Sequence, residues 1–223
     1  KEVSNVFSRA CRRASIPVAY SQGFHPLPRI SFGPALPVGM ESQDEFLDIV
    51  LGDAVEPGVI MPRLNAELPD GFNVRKLDRI PLDKASVDSD ILRHSYEVNL
   101  ECLPHSIRDA NFIPERLRQF FDAETYPMRK RTRHRERTID AKSLIKYLTF
   151  SDPATLHIDV ATGSEGSIKV TEFLGVLLNL TGDEVKMLRV MKTRTHLKEA
   201  PITHAAQSEI PTFRNNHLNT RNQ

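Results

Sequence analysis

Residues 94–198 read as strand, helix, strand, strand, helix, strand, and few folds accept that order. Residues 94–102 place Tyr96, Val98, Leu100 and Cys102 on one face, the two-residue period of a half-buried strand. Residues 114–123 carry Leu117, Phe120 and Phe121 at helical spacing. Residues 125–137 read as extended, and Leu156, Ile158 and Val160 mark a third strand. Thr171 is placed to cap a helix through Leu180, with Glu172 in its first turn. Residues 186–197 then read as the closing strand, with a helix as the rival reading. This is the split βαβ order of ferredoxin-like folds.

Residues 1–82 repeat that order without an opening strand. Val3, Val6, Phe7, Ala10, Cys11 and Ala14 recur at three- and four-residue steps, the stripe of an amphipathic helix. It ends at Ser15-Ile16-Pro17, because proline disfavours helical geometry in the residue before it. A short strand at 18–21 continues at 30–33, and Leu47, Ile49 and Leu51 alternate within a strand at 45–51. Residues 57–67 read as a helix with proline near its start, closed before Pro69-Asp70-Gly71, and 72–80 as a strand. The expected fold is α+β: two tandem ferredoxin-like units forming a broad antiparallel sheet, the first strand missing. The helical stripe opens without a capping residue, as expected where an upstream strand has been cut away. The expected boundaries are 1–82 for the first half, 83–93 for a polar linker and 94–198 for the second half. Residues 199–223, rich in Asn, Thr and Gln, are expected to be a disordered tail.

A chain of 223 residues can bury a real core in such a pair of units. Its net charge of +1 supplies no overall field to attract a polyanion, so any such affinity must come from local clustering. Cys11 and Cys102 are the only cysteines, and both sit in apolar-periodic segments. They read as buried thiols in a reducing cytoplasm, without the spacing of a metal or disulfide pair. The histidines outside the first loop (His94, His105, His157, His196, His204 and His217) show no metal-ligand spacing. No apolar run approaches the ~18–20 residues of a membrane span.

Two segments carry the candidate chemistry. The first is the loop Tyr20-Ser21-Gln22-Gly23-Phe24-His25-Pro26-Leu27-Pro28-Arg29, whose glycine and prolines stiffen the backbone. Tyr20, Gln22, His25 and Arg29 are left to contact a substrate; Tyr20 and Phe24 could stack on bases, and for Phe24 a core role is the favoured alternative. His25 either pairs with Arg29 in acid–base or anion-binding work or fixes the loop through backbone carbonyls. The second is the basic run 129–137. In one extended strand Arg129, Arg131, Arg133, Arg135 and Arg137 share a face, with guanidiniums about 6–7 Å apart, matching phosphates along a nucleic-acid strand. The competing reading of that run is a solvated loop or an edge strand guarded by charge. Gly163-Ser164-Glu165-Gly166-Ser167 lacks a phosphate-loop ending and reads as a turn.

The chain resembles the radical-SAM-linked proteins, a family found beside or fused to radical SAM enzymes. The resemblance rests on Arg9-Ala10-Cys11-Arg12-Arg13-Ala14 and on Pro17-Val18-Ala19-Tyr20-Ser21-Gln22-Gly23-Phe24-His25-Pro26. Ile30-Ser31-Phe32, Leu36-Pro37-Val38-Gly39 and Glu45 extend it. Leu64-Asn65, Leu68-Pro69-Asp70-Gly71, Ile139-Asp140 and Gly166-Ser167-Ile168-Lys169 continue it more weakly. The strand and Ser-His-Leu-Asp segment with which family members begin have no counterpart here. The resemblance implies a radical SAM partner, fused or separate, and a link to RNA metabolism. The iron–sulfur cluster and S-adenosylmethionine are expected in that partner, because this chain lacks a cluster-binding cysteine trio.

The two-unit architecture is also similar to that of pseudouridine synthases, whose catalytic aspartate follows the second strand. Residues 21–25 stand in the comparable place and include no carboxylate. The expected function is therefore RNA binding (tRNA or rRNA) and presentation to a radical SAM enzyme, with no catalytic residue and no metal in this chain. The alternative is a protein-interaction domain that docks the enzyme or recruits a protein substrate. The expected location is the cytoplasm, with neither membrane nor DNA as a partner.

Overall fold

A computed structural model describes residues 2–107, 109, 111–131, 136–151, 154–162, 166–198 and 212–220, with only the backbone described for Arg131 and for 212–220. The chain divides into two compact units. Unit 1 is Lys1–Pro37, Glu41–Ile91 and Lys198–Gln223; unit 2 is Val38–Met40 and Leu92–Leu197. Both units mix helices with antiparallel strand pairs.

Unit 1 begins with α1 (Glu2–Arg13), β1 (Ile30–Phe32), β2 (Met40–Val50), α2 (Pro57–Glu67), β3 (Leu77–Ile80) and α3 (Val87–Asp90). Its last strand is β10 (Thr212–Thr220). Strand order is β3-β10-β2-β1 with antiparallel neighbours throughout. The α1 stripe does what its spacing requires. Phe7, Ala10, Cys11 and Ala14 are buried against Leu47, Ile49 and Leu51 of the β2 end and Ile60 and Leu64 of α2. Phe7 lies at the centre, meeting Phe32 and Phe72 edge-on at 6.0 and 6.1 Å. Arg13 ties α1 to the end of α2 through the Glu67 carboxylate at 2.7 Å.

Unit 2 runs β4 (Ile91–Asn99), α4 (Phe112–Asp122), β5 (Pro127–Arg131), β6 (Glu136–Asp140), α5 (Ala141–Leu144) and β7 (Ile145–Ser151). It closes with β8 (Thr155–Ala161), α6 (Val170–Leu177), α7 (Gly182–Met187) and β9 (Arg189–Leu197). The main strand order is β9-β4-β8-β7, while β5 and β6 form a separate two-stranded sheet. Leu156, Ile158 and Val160 of β8 are buried and alternate with half-buried neighbours, so one face of this sheet is packed. Phe120 of α4 and Phe173 of α6 meet at 5.3 Å over that core.

Several expected elements fall differently. Residues 125–137 are not a strand of the main sheet. A charge run cannot bury a face, and β7, with Ile145 and Leu148 buried, takes the place beside β8. Thr171 is not a cap: α6 begins at Val170 with Lys169 before it, and the capping box belongs to Thr181 and Glu184 of α7. The closing strand consequently starts at Arg189 rather than at 186. Residues 18–21 form only isolated bridges, Val18 to Leu51 and Tyr20 to Pro28. The strand at 72–80 is shortened to β3, because Asn65 occupies the backbone of Val74 from both sides, at 2.9 and 2.7 Å. The expected linker 83–93 holds α3, with Val87 buried and its N–H donating to Asp48 Oδ2 at 2.9 Å. Within the expected disordered tail, 212–220 form β10. The facing edges of β2 and β3 offer backbone groups on both sides, and pairing with both outweighs a polar composition.

Candidate functional site

The loop singled out in the sequence is a narrow β-ribbon with a fixed root. Arg29 N donates to Ala19 O and Ser21 N to Leu27 O, both at 2.8 Å, with Tyr20 and Pro28 bridged between them. Leu27 N adds a bond to Ser21 Oγ at 3.0 Å. At the base, Ala19 N donates to Val50 O at 2.8 Å and Val50 N to Arg29 O at 3.0 Å. One residue at the end of β2 therefore grips both legs. Below it, Gly52 N reaches Pro17 O at 2.7 Å, and Leu51 is buried in the unit 1 core. Continuing that pairing leaves Gln22 to Pro26 as the turn and Phe24 as its apex. Gly23 makes the turn at φ +132, a conformation that side-chain-bearing residues rarely adopt.

Tyr20, Gln22, His25 and Arg29 all lie on this ribbon and all are exposed. Phe24 is not a core residue: it is fully exposed, at 103%, because a five-residue turn has no layer to pack its apex against. Leu27 is 67% exposed. His25 does not fix the loop; Ser21 does, and among the described residues nothing bonds to the His25 ring or joins it to Arg29. The signal that could have identified Phe24 was its position one residue after Gly23 and two before Pro26, in a turn rather than in a periodic element.

The basic run is folded back on itself. In the β5–β6 hairpin Lys130 faces Arg137, while Arg129 faces Thr138 and Arg131 faces Glu136. Directly paired residues share a face, so Arg137 lies opposite to Arg129 and Arg131 instead of in line with them. Arg133 and Arg135 lie outside the described residues. The inner face serves structure: Met128 is buried, and Lys130 Nζ donates to Ser167 Oγ at 2.9 Å and to the Ser167 carbonyl. A side chain at Gly166 would lie 3.6 Å from Arg137 Nη2, which places that guanidinium over the same segment. The outer face keeps Arg129 exposed beside exposed Thr138 and Glu136. Residues 163–165 of the glycine-spaced turn lie outside the described residues.

Residues 1–170 match the model of a bacterial family described as "Uncharacterized protein conserved in bacteria (DUF2344)". The chain belongs to this family. The match takes in the ribbon, the hairpin and every strand of the chain through β8. No curated protein and no solved structure gives a significant match.

The DUF2344 chain also buries polar side chains that sequence patterning missed. In unit 1 these are Ser42, Asp44 and Asp48 of β2; in unit 2 they are His94, Lys192 and Thr195. The signal for the first three was available, since Asp44 and Asp48 share a strand face with Phe46 and Ser42. His94 Nδ1 stands 3.0 Å from Thr195 Oγ1, and His196 Nε2 stands 2.8 Å from Ser95 Oγ. Burial, then the charges of Lys192 and His196, pulls the His94 pKa down to about 3. Burial likewise pushes the Cys11 thiol up to about 11, which makes it an inert core group. Cys102 is half-buried and donates to Met187 O at 2.7 Å. Among the described residues no group of three His, Cys, Asp or Glu side chains is placed to hold a metal ion. Among them, too, no helix is long and apolar enough to cross a membrane.

Proposed function

We propose that this protein is a cytoplasmic RNA-binding accessory domain that presents tRNA or rRNA to a radical SAM enzyme. The observation that carries the reading is the rooted ribbon: Tyr20, Gln22, His25 and Arg29 are held out from the fold on a backbone fixed at Val50. Its charge supports a polyanionic partner. Between Glu2 and Glu41 the sequence contains Arg9, Arg12, Arg13 and Arg29 and no acidic residue. Arg13 is paired with Glu67, whereas Arg9, Arg12 and Arg29 are exposed and have no ion pair among the described residues. Arg129 and Arg137, both exposed, add a second pair of cations on unit 2. The radical SAM partner, with its cluster and S-adenosylmethionine, follows from the sequence resemblance.

Strand order supports the duplicated architecture. Within unit 2 the order β9-β4-β8-β7 is the fourth, first, third and second strand of a split βαβ unit. In unit 1 the order β3-β10-β2-β1 has the same form, with β10 in the first-strand position. Two such units favour the pseudouridine-synthase-like reading, and the absence of a carboxylate in 21–25 favours binding over catalysis.

The test is titration of the whole chain into labelled tRNA and rRNA fragments at two salt concentrations, beside a variant with R131A, R133A and R135A. Phosphate-led binding falls steeply with salt, and each lost contact lowers the log–log slope by about 0.7–0.9. A folded wild-type chain that binds neither RNA refutes the reading. The exposed Phe24 and Leu27 favour one other reading, a domain that docks the partner enzyme. Capture of that enzyme, insensitive to salt and unaffected by RNA, would establish it instead.

A further inference from the structure

We propose that the ribbon apex is a stacking site for an unpaired base of single-stranded RNA, with the Phe24 ring as its platform. The inference rests on the RNA reading above and names the part of the RNA that the ribbon takes. Phe24 is fully exposed at the apex of a ribbon whose legs are bonded to one another and to Val50. Paired legs lead up to it, Ser21 locks the turn through Leu27, and Gly23 holds the φ +132 that aims the apex. A large ring left in water has forgone its burial in the fold, and a partner recovers it.

Charge decides which partner. An apolar anchor meant for a protein groove is ordinarily ringed by mixed polar groups. On the ribbon itself, residues 17–33, Arg29 at the base is the charged side chain and no acidic residue occurs, while Arg9 and Arg12 lie on exposed positions of α1. An exposed aromatic ring on a segment that carries a guanidinium and no carboxylate suits a nucleotide, base on the ring and phosphate on the cation. Tyr20, 47% exposed on the leading leg, offers a second ring for a neighbouring base. Stacking on a projecting side chain requires a base free of its own helix, so the substrate is a loop, bulge or single strand and not a continuous duplex.

The experiment compares wild type, Phe24→Ala, Phe24→Leu and Phe24→Trp, all as the whole chain, against three probes. These are a single-stranded RNA containing 2-aminopurine, a blunt RNA duplex, and inorganic polyphosphate as a base-free competitor. Phe24 contacts no core, so all four proteins should melt alike. The expected result is a loss of about tenfold or more in single-strand affinity for the Ala and Leu variants, with Trp retaining binding. The 2-aminopurine fluorescence response should be lost with the ring, and polyphosphate competition should be unchanged. Leucine separates the partners, because it keeps an apolar anchor for a protein groove but has no π face. Wild-type-like RNA binding by the Ala variant overturns the apex inference and leaves the RNA reading standing. Equal affinity for duplex and single strand overturns the inference as well. If the folded wild type binds no RNA at all, the RNA reading falls and takes this inference with it. Loss of radical SAM enzyme capture in the Ala variant, with RNA binding intact, assigns Phe24 to docking instead.

Discussion

His94 should make this protein lose stability as the medium is acidified, well above the range in which carboxylates titrate. The ring sits on β4, 5% exposed, with Nδ1 at 3.0 Å from Thr195 Oγ1 and its edge against Tyr96 at 6.2 Å. Burial first, and then the charges of Lys192 and His196, depress its pKa from 6.5 to about 3. The folded protein therefore keeps His94 neutral between those values, while the unfolded chain takes up the proton. The unfolded state binds more protons, so stability rises with pH through this window and is lost as pH falls from 6.5 toward 3. Between pH 7.5 and pH 5.0 the loss from this one group is about 2 kcal/mol, taken as RT times the logarithm of the ratio of the unfolded to the folded protonation partition function. The assay is urea unfolding at both pH values for wild type and His94→Asn, whose amide can still reach Thr195. Whatever the substitution costs at pH 7.5, the further loss on going to pH 5.0 should shrink by about 2 kcal/mol. An equal acid loss in both proteins would refute the assignment. So would an NMR titration in which the His94 ring protonates near pH 6.

Two further outcomes follow from buried geometry. Cys11, buried with its pKa raised to about 11, should resist iodoacetamide at pH 8 in the folded chain and react fully in urea, as read by mass spectrometry. Labelling of Cys11 without unfolding would show that α1 opens locally. Asn65→Ala removes the amide that both donates to Val74 O and accepts from Val74 N, and should cost about 1–3 kcal/mol in chemical denaturation, because it strands a donor and an acceptor together. A cost below about 0.5 kcal/mol would mean that water replaces both bonds.

How much was legible in the sequence depended on whether an element had its own period. The α1 stripe came through because a repeating face selects one burial side, and α2 at Pro57–Glu67 because proline marks its start and Pro69-Asp70-Gly71 its end. Leu156, Ile158 and Val160 also fell in β8 as read, for the same reason. What failed lacked such a face. The described strands of this stretch, β5 and the start of β6, are extended as its composition says, but extension alone does not say which sheet a strand joins. That choice was made by Ile145 and Leu148, which could be buried where arginines could not. β10 was illegible for a related cause: its pairing comes from two partner edges far away in sequence. At the candidate site the four polar ribbon residues were picked out by chemistry, and the one apolar residue was misplaced by the same chemistry. A phenylalanine is read as core unless the backbone around it denies it a layer, and only the closed ladder from Ala19 to Arg29 shows that denial.

The ribbon also separates the fold from its contact surface in a way that bears on how recognition could change. Its legs bond to Val50, and the next residue, Leu51, is buried with Leu47 and Ile49 in the core, so the root is held by the main hydrophobic cluster of unit 1. The apex contributes nothing to that cluster. Substitutions at Gln22, Phe24 or His25 should therefore leave the fold intact, while a change at Leu51 should loosen the root that grips the legs. A partner meeting this ribbon finds a backbone already ordered, and little further conformational entropy has to be lost on contact. That is the physical reason to expect a site here. Affinity would come from a few exposed groups on a rigid mount, and its chemistry could be retuned at the turn without disturbing the helices that hold it.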